Sequence, residues 1–134
     1  MKIKTGLGQD SHAFENNHKA LLLAGVNLKH IQGLRANSDG DVVFHALTNA
    51  VSSTDSLDRA IDTILKLSLQ DLQDWQVQHI AISIECLTPK ISPFIADMKQ
   101  NIAKLFNISS NDIGITATTG EGLTAFGKGE GIQV

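Results

Sequence analysis

The chain has 134 residues, 42% of them hydrophobic and 19% charged, with a mean hydropathy of −0.01, which suits one soluble globular domain and leaves no room for two. Eleven Lys and Arg against 14 Asp and Glu give a net charge of −3 with no basic run, so no nucleic-acid partner is expected, and no stretch nears the roughly 20 apolar residues of a membrane span. The single Cys86 excludes an internal disulfide framework and a Cys-rich zinc module; MKIKTGLGQD has no signal or transit pattern, so a reduced, cytoplasmic setting is the expectation.

Residues 2–8 read as a short strand running into Gln9-Asp10-Ser11-His12. Residues 20–28, ALLLAGVNL, read as a buried or partly buried strand followed by a loop through Gly33. The polar run Asn37-Ser38-Asp39-Gly40-Asp41 then precedes VVFHALTNAV, where free first-turn N–H groups call for side-chain acceptors, so a helix starts there. Leu57, Ile61, Ile64, Leu65, Leu72 and Trp75 fall on one face of a second amphipathic helix. Three isoleucines alternate in residues 78–85, a strand with one face in the core. Ser92-Pro93 supplies a cap and first-turn proline for a helix carrying Ile95, Met98, Ile102 and Leu105. Asn107 to Asn111 is a turn, and Ile113, Ile115 and Ala117 alternate as a strand. Five of eleven glycines then lie between Gly120 and Gly131. The expected fold is a single α+β domain over residues 1–134, a mixed sheet with its helices on one face.

Side chains at i and i+2 of an extended segment point the same way, so Asp10 and His12 converge as half of a metal site with oxygen and nitrogen donors suited to zinc. The plain alternative is a strand-end Asp beside a surface His. His45, inside the helix after the polar run, completes a three-ligand site with an open fourth position, or is a satisfied core histidine. Ser38, Asp39 and Asp41 read either as partners orienting those imidazoles or as an acidic helix cap. Thr118-Thr119-Gly120-Glu121-Gly122 lets backbone N–H groups approach phosphate, with Glu121 free to hold a hard cation, or is a glycine-rich hairpin. Pro89-Lys90 offers a cation to an anionic ligand, or a surface lysine beside a turn. His18, His30 and His79 have no partner spacing, and Cys86 reads as a small buried hydrophobe.

Gly8-Gln9-Asp10-Ser11-His12-Ala13-Phe14, the run Asn37 to Asp41 with His45, Thr118-Thr119 with Glu121, and Gly127-Lys128-Gly129-Glu130-Gly131 follow one another in order. In these motifs, and over nearly its whole length, the chain resembles the 2-C-methyl-D-erythritol 2,4-cyclodiphosphate synthases of the non-mevalonate isoprenoid pathway. The resemblance implies a metal-dependent lyase that cyclises 4-diphosphocytidyl-2-C-methyl-D-erythritol 2-phosphate and releases CMP. It implies zinc, or another divalent transition metal, on Asp10, His12 and His45, and magnesium or manganese on Glu121. Asn37, Thr119 and Glu121 take the catalytic positions. Cys86, Pro89, Lys90, Ile91 and Ser92 line the cytidine pocket with Thr118, while Asn37, Ser38 and Thr119 meet phosphate or erythritol, and Lys128 falls in the axial cavity. It further implies a homotrimer with active sites between subunits.

Five positions depart from the family pattern as the resemblance gives it. Asn37 stands for a usual His, Gly120 for a Thr, Asn49 for an Asp, and Ala125 and Lys128 for the axial Phe and Arg. The family also has a longer segment near Ser53 to Ser56 and a longer final strand. Either the chain is truly shortened there, or a mobile lid and a tail lie outside these 134 residues; the second is the expectation. Two other readings carry different chemistry: a metal-dependent phosphohydrolase on the same ligands, and a non-catalytic trimer that binds a cytidine nucleotide or an isoprenoid diphosphate.

Overall fold

A computed structural model describes residues 1–54, 69–70, 72 and 74–134. Five strands form the main sheet: β1 (Ser11–Glu15), β4 (Gly33–Leu34), β5 (Ile80–Glu85), β6 (Ile113–Thr118) and β7 (Gly131–Gln133). Their order is β4-β1-β7-β5-β6, with β5 and β6 parallel and the other neighbours antiparallel. A separate two-stranded hairpin joins β2 (Leu22–Leu23) to β3 (Val26–Asn27). The described helices are α1 (Val42–Ser52) and α2 (Ile95–Phe106), the second lying in the connection between the parallel strands. Most of the helix read over Leu57 to Trp75 lies outside the described residues.

Alternation decides which face of the sheet is dry. Ile80, Ile82 and Ile84 point into the core, whereas Ala81 and Ser83 are exposed. Ile132 of β7 and Met98 and Ile102 of α2 are fully buried in the same core as Val42 and Val43 of α1. α2 ends on Asn107, which takes the left-handed conformation (φ 54°) and donates its N–H to Ala103.

Three sequence expectations are corrected. Residues 2–8 form no strand, because the segment finds its partners at the C-terminal end of α1 and just beyond it. The Leu7 N–H donates to Ser53 Oγ at 3.0 Å, the Asn49 amide donates to the Gln9 carbonyl at 2.9 Å, and the Lys4 ammonium reaches the Thr54 carbonyl at 3.1 Å. Gly8 permits this: a Cβ there would overlap the Ala46 carbonyl and lie 2.3 Å from the Ala50 nitrogen. Sheet pairing begins only at Asp10, whose backbone exchanges bonds of 3.1 and 3.0 Å with Val134. Residues 20–28 are not one strand but the tight β2–β3 hairpin, turned by Ala24 (φ 50°) and Gly25 (φ 74°). Ser92 makes no capping bond; Ser92 to Phe94 is a 3₁₀ turn, and α2 begins at Ile95.

Asp41 joins these pieces. Its carboxylate accepts the N–H of Phe44 at 3.1 Å as the α1 cap, and the turn N–H groups of Ala24 and Gly25 at 2.9 and 2.7 Å. Burial pushes its carboxyl above the ordinary 3.8, against the three N–H groups, with a push upward from Asp39. Asp41→Ala should cost about 3 kcal/mol, since it removes the cap and leaves two turn donors buried, as chemical denaturation would read. A folded value above the unfolded one means that the folded state holds the extra proton. Relative to Asp41→Asn, wild-type stability should therefore fall as pH rises from 3.8 through the raised value, and level off above it.

Candidate functional site

Asp10 ends the segment entering β1, His12 is the second residue of that strand, and His45 is the fourth residue of α1. His12 Nε2 lies 3.0 Å from Asp10 Oδ2, His45 Nδ1 lies 3.1 Å from the same oxygen, and the two ring nitrogens are 3.0 Å apart. Three lone-pair-bearing atoms thus form a nearly equilateral triangle, partly shielded from solvent. A tetrahedral ion with bonds of about 2.0–2.1 Å has ligand edges near ~3.3 Å, so the donors fit a small divalent cation with little movement. Ser38 Oγ stands 3.4 Å from His45 Nε2, placed to accept an N–H there when Nδ1 gives its lone pair to a cation. The loop bearing Ser38 is held by Lys19, whose ammonium donates to the carbonyls of Ala36 and Ser38 at 2.9 and 3.3 Å.

Asp41 and Asp39 do not reach the imidazoles. Asp41 faces the hairpin turn, and Asp39 accepts the Asp41 N–H at 3.0 Å. Asn37 is exposed in the β4–α1 loop.

A second group collects at the C-terminal ends of the parallel strands. The Cys86 N–H donates to the Thr118 carbonyl at 3.0 Å, which brings residues 86–92 beside Thr118 and Thr119. Lys90, Ser92, Thr118, Thr119, Glu121 and Lys128 are exposed, Pro89 is half-buried and Ile91 is buried. Cys86 is buried, with its thiol donating to the Thr88 carbonyl at 3.1 Å, and burial pushes that thiol up to about 11. The loop after Thr118 carries three successive left-handed residues, Gly120, Glu121 and Gly122 (φ 72°, 48° and 77°).

Sheet register separates the two groups. Ser11 pairs with Gln133, Gln133 with Glu85, and Glu85 with Thr118. Three strand spacings of ~4.8 Å place Thr118 about 14 Å from the Asp10–His12 segment. Glu121 accordingly does not join the Asp10–His12–His45 cluster within one chain. Lys19, Glu85 and Thr124 also shape these loops, and no motif or spacing in the sequence marked them.

A mixed-sheet α+β domain thus carries three side chains that could hold a divalent cation, Asp10, His12 and His45, at β1 and α1, and a threonine- and glycine-rich loop after β6. The comparisons with known proteins give the family. The model of the YgbB family matches residues 3–63 and 58–134, and the chain belongs to that family. A curated relative from Chlamydia felis (strain Fe/C-56), named 2-C-methyl-D-erythritol 2,4-cyclodiphosphate synthase, is 43% identical over 148 residues, covering 97% of this chain and 84% of the relative. One of the same name from Chlamydia muridarum (strain MoPn / Nigg) is 41% identical over 150 residues, covering 97% and 83%. The 148 aligned positions exceed the 134 residues here, so the alignment holds positions for which this chain has no residue. Among solved structures, the bifunctional IspDF from Campylobacter jejuni superposes with a TM-score of 0.87 at 32% identity, over 98% of this chain and 40% of that one. The Plasmodium falciparum IspF CDP complex shares the fold, with a TM-score of 0.84 at 23% identity over 97% and 90%.

Two outcomes test the geometry. Ser38→Ala should weaken Zn2+ binding roughly tenfold and His45→Ala by far more, both without loss of fold, as metal titration and circular dichroism would report. Cys86 should resist iodoacetamide in the native protein at pH 8 and react once denatured, read by mass spectrometry of the intact chain.

Proposed function

We propose that this chain converts 4-diphosphocytidyl-2-C-methyl-D-erythritol 2-phosphate into 2-C-methyl-D-erythritol 2,4-cyclodiphosphate and CMP, a step of isoprenoid biosynthesis. The observation that carries the reading is the Asp10–His12–His45 triangle, in a chain 43% identical to a relative of that name. An oxygen of the 2-phosphate attacks the β-phosphorus; the new P–O bond closes the ring as the bond to the CMP oxygen breaks, and CMP leaves with that electron pair. No protein nucleophile is required, so positioning and neutralisation of charge are what the residues must supply. Asp10, His12 and His45 would hold zinc or a similar ion, and Glu121 magnesium or manganese, which when bound supply positive charge to the phosphate oxygens.

Within that reading, Ser38 orients His45, while Asn37 and Thr119 hydrogen-bond phosphate or the erythritol hydroxyls. Thr118 with Cys86, Pro89, Lys90, Ile91 and Ser92 forms the cytidine pocket, where the exposed Lys90 ammonium meets the leaving CMP phosphate. Lys128 adds a cation near the loop. The separation of Glu121 from the triangle favours a homotrimer in which one subunit's triangle meets a neighbour's Thr118–Glu121 loop. The exposed outer sheet face supports the same assembly: parallel pairs such as β5–β6 are ordinarily covered on both sides, yet Ala81, Ser83, Thr116 and Thr118 are open. No described helix is long and apolar enough to cross a membrane. A cytoplasmic location is proposed from the free, buried Cys86.

The positions that relatives have and this chain lacks favour a second reading, a trimer that binds a cytidine nucleotide without turnover. Phosphorus NMR of the protein with substrate, Zn2+ and Mg2+ separates the readings. CMP with a cyclic diphosphate is the expected outcome. CMP with a linear phosphate would mean hydrolysis, and binding without new signals would mean a nucleotide-binding protein. Mixing inactive His45→Ala and Glu121→Ala chains after unfolding and refolding should restore about a quarter of wild-type activity, because half the chains supply each intact half-site. No restoration would place both halves on one subunit.

A further inference from the structure

We propose that Glu85 is a positioning residue that acts through Thr124 to hold the loop bearing Thr119 and Glu121; this rests on the reading that Glu121 binds the second cation. Glu85 is the last residue of β5 and lies on the outer sheet face, beside Thr118 of β6 and Gln133 of β7. Its carboxylate accepts the hydroxyl hydrogen of Thr124, and the Thr124 oxygen in turn accepts the Gly127 N–H at 3.0 Å. Gly127 packs on Gly120, where an added Cβ would meet the Gly127 Cα at 2.9 Å and collide with the Glu85 carboxylate. The Gly120 N–H donates to Thr118 Oγ1 at 3.2 Å, closing the circuit back to β6.

That circuit encloses the left-handed run at residues 120–122. Glu121 is not a glycine, and its positive φ persists only where neighbours over-determine the backbone. Bonds at both ends of the run do so: Thr118 before it, and the Glu85–Thr124–Gly127 relay after it. Among the described residues no cation pairs with Glu85; its carboxylate accepts this hydroxyl and occupies the space where a Cβ on Gly120 would stand. The Glu121 side chain is thereby presented at an exposed tip in a fixed direction, which lowers the cost of binding a cation there.

The test compares Glu85→Ala, Glu85→Gln and Thr124→Val with wild type. In Glu85→Ala and Thr124→Val the Mg2+ concentration for half-maximal CMP release should rise roughly tenfold, the loss of one charge-assisted hydrogen bond. Zn2+ content and thermal midpoint should stay unchanged. Glu85→Gln, whose amide oxygen still accepts the Thr124 hydroxyl, should return most of the effect. Exchange of the Gly127 amide, followed by NMR in the metal-free protein, needs no turnover and should quicken in Thr124→Val and Glu85→Ala. An unchanged Mg2+ requirement, or a changed one with unaltered Gly127 exchange, would overturn the relay. If wild type releases no CMP while Gly127 exchange still quickens in both variants, the enzymatic reading falls and the hold on the loop stands.

Discussion

The buried carboxylate of Asp41 is the constraint on which the site depends. Three backbone donors converge on it, two from the β2–β3 turn and one from the first turn of α1. A hairpin of two-residue strands has little stability of its own, and a helix start leaves donors that must find acceptors. One side chain answers both needs and locks the axial position and rotation of α1. His45 stands one turn further on, its N–H bonded to the Asp41 carbonyl at 3.0 Å. The imidazole is therefore delivered to Asp10 and His12 by a fixed helix rather than by a loop. The desolvation that raises the Asp41 carboxyl is the cost of that rigidity.

Sheet register does for the other half-site what Asp41 does for the triangle. The pairing of Glu85 with Thr118 and Gln133 sets the row from which residues 86–92 and 119–130 emerge. Because β7 lies between β1 and β5, the triangle and the glycine loop are held apart by the sheet itself, and side-chain rotation cannot close three strand spacings. A ligand touching both groups on one chain would have to span that distance. The outer face of the parallel pair is open beside them.

How much of this was legible in the sequence follows from which contacts are local. Asp10 and His12 could be placed together because a two-residue offset fixes their common side, and the α1 start could be read from its acceptors. The strand of three isoleucines emerged cleanly, since period two has one interpretation when a single face is buried. The expectations that failed share one cause, partners distant in sequence. Residues 2–8 alternate like a strand, yet Ser53 and Asn49 claim the backbone groups of Leu7 and Gln9 from 46 and 40 positions away. Ser92 has the chemistry of a cap, but the Phe94 N–H bonds to the Ile91 carbonyl instead, at 2.9 Å. The roles of Lys19 and Thr124 depend on loops meeting in three dimensions, and no spacing rule encodes that.

Three of the positions that the resemblance reads as departures, Asn37, Asn49 and Gly120, also sort by structure. Asn49 donates its amide to the Gln9 carbonyl, a bond that an aspartate could not make, so here the polar side chain pins the segment leading to Asp10. Asn37 is exposed in its loop, where a change of side chain alters what meets a ligand without disturbing the scaffold. Gly120 is different. A threonine there would need its Cβ where the Glu85 carboxylate lies, and would need a positive φ that a β-branched residue resists. Glycine at 120 and glutamate at 85 are therefore a matched pair, one vacating the space that the other fills. Introducing threonine alone would displace the carboxylate from Thr124, so the effect of Gly120→Thr on this chain depends on what residue 85 is.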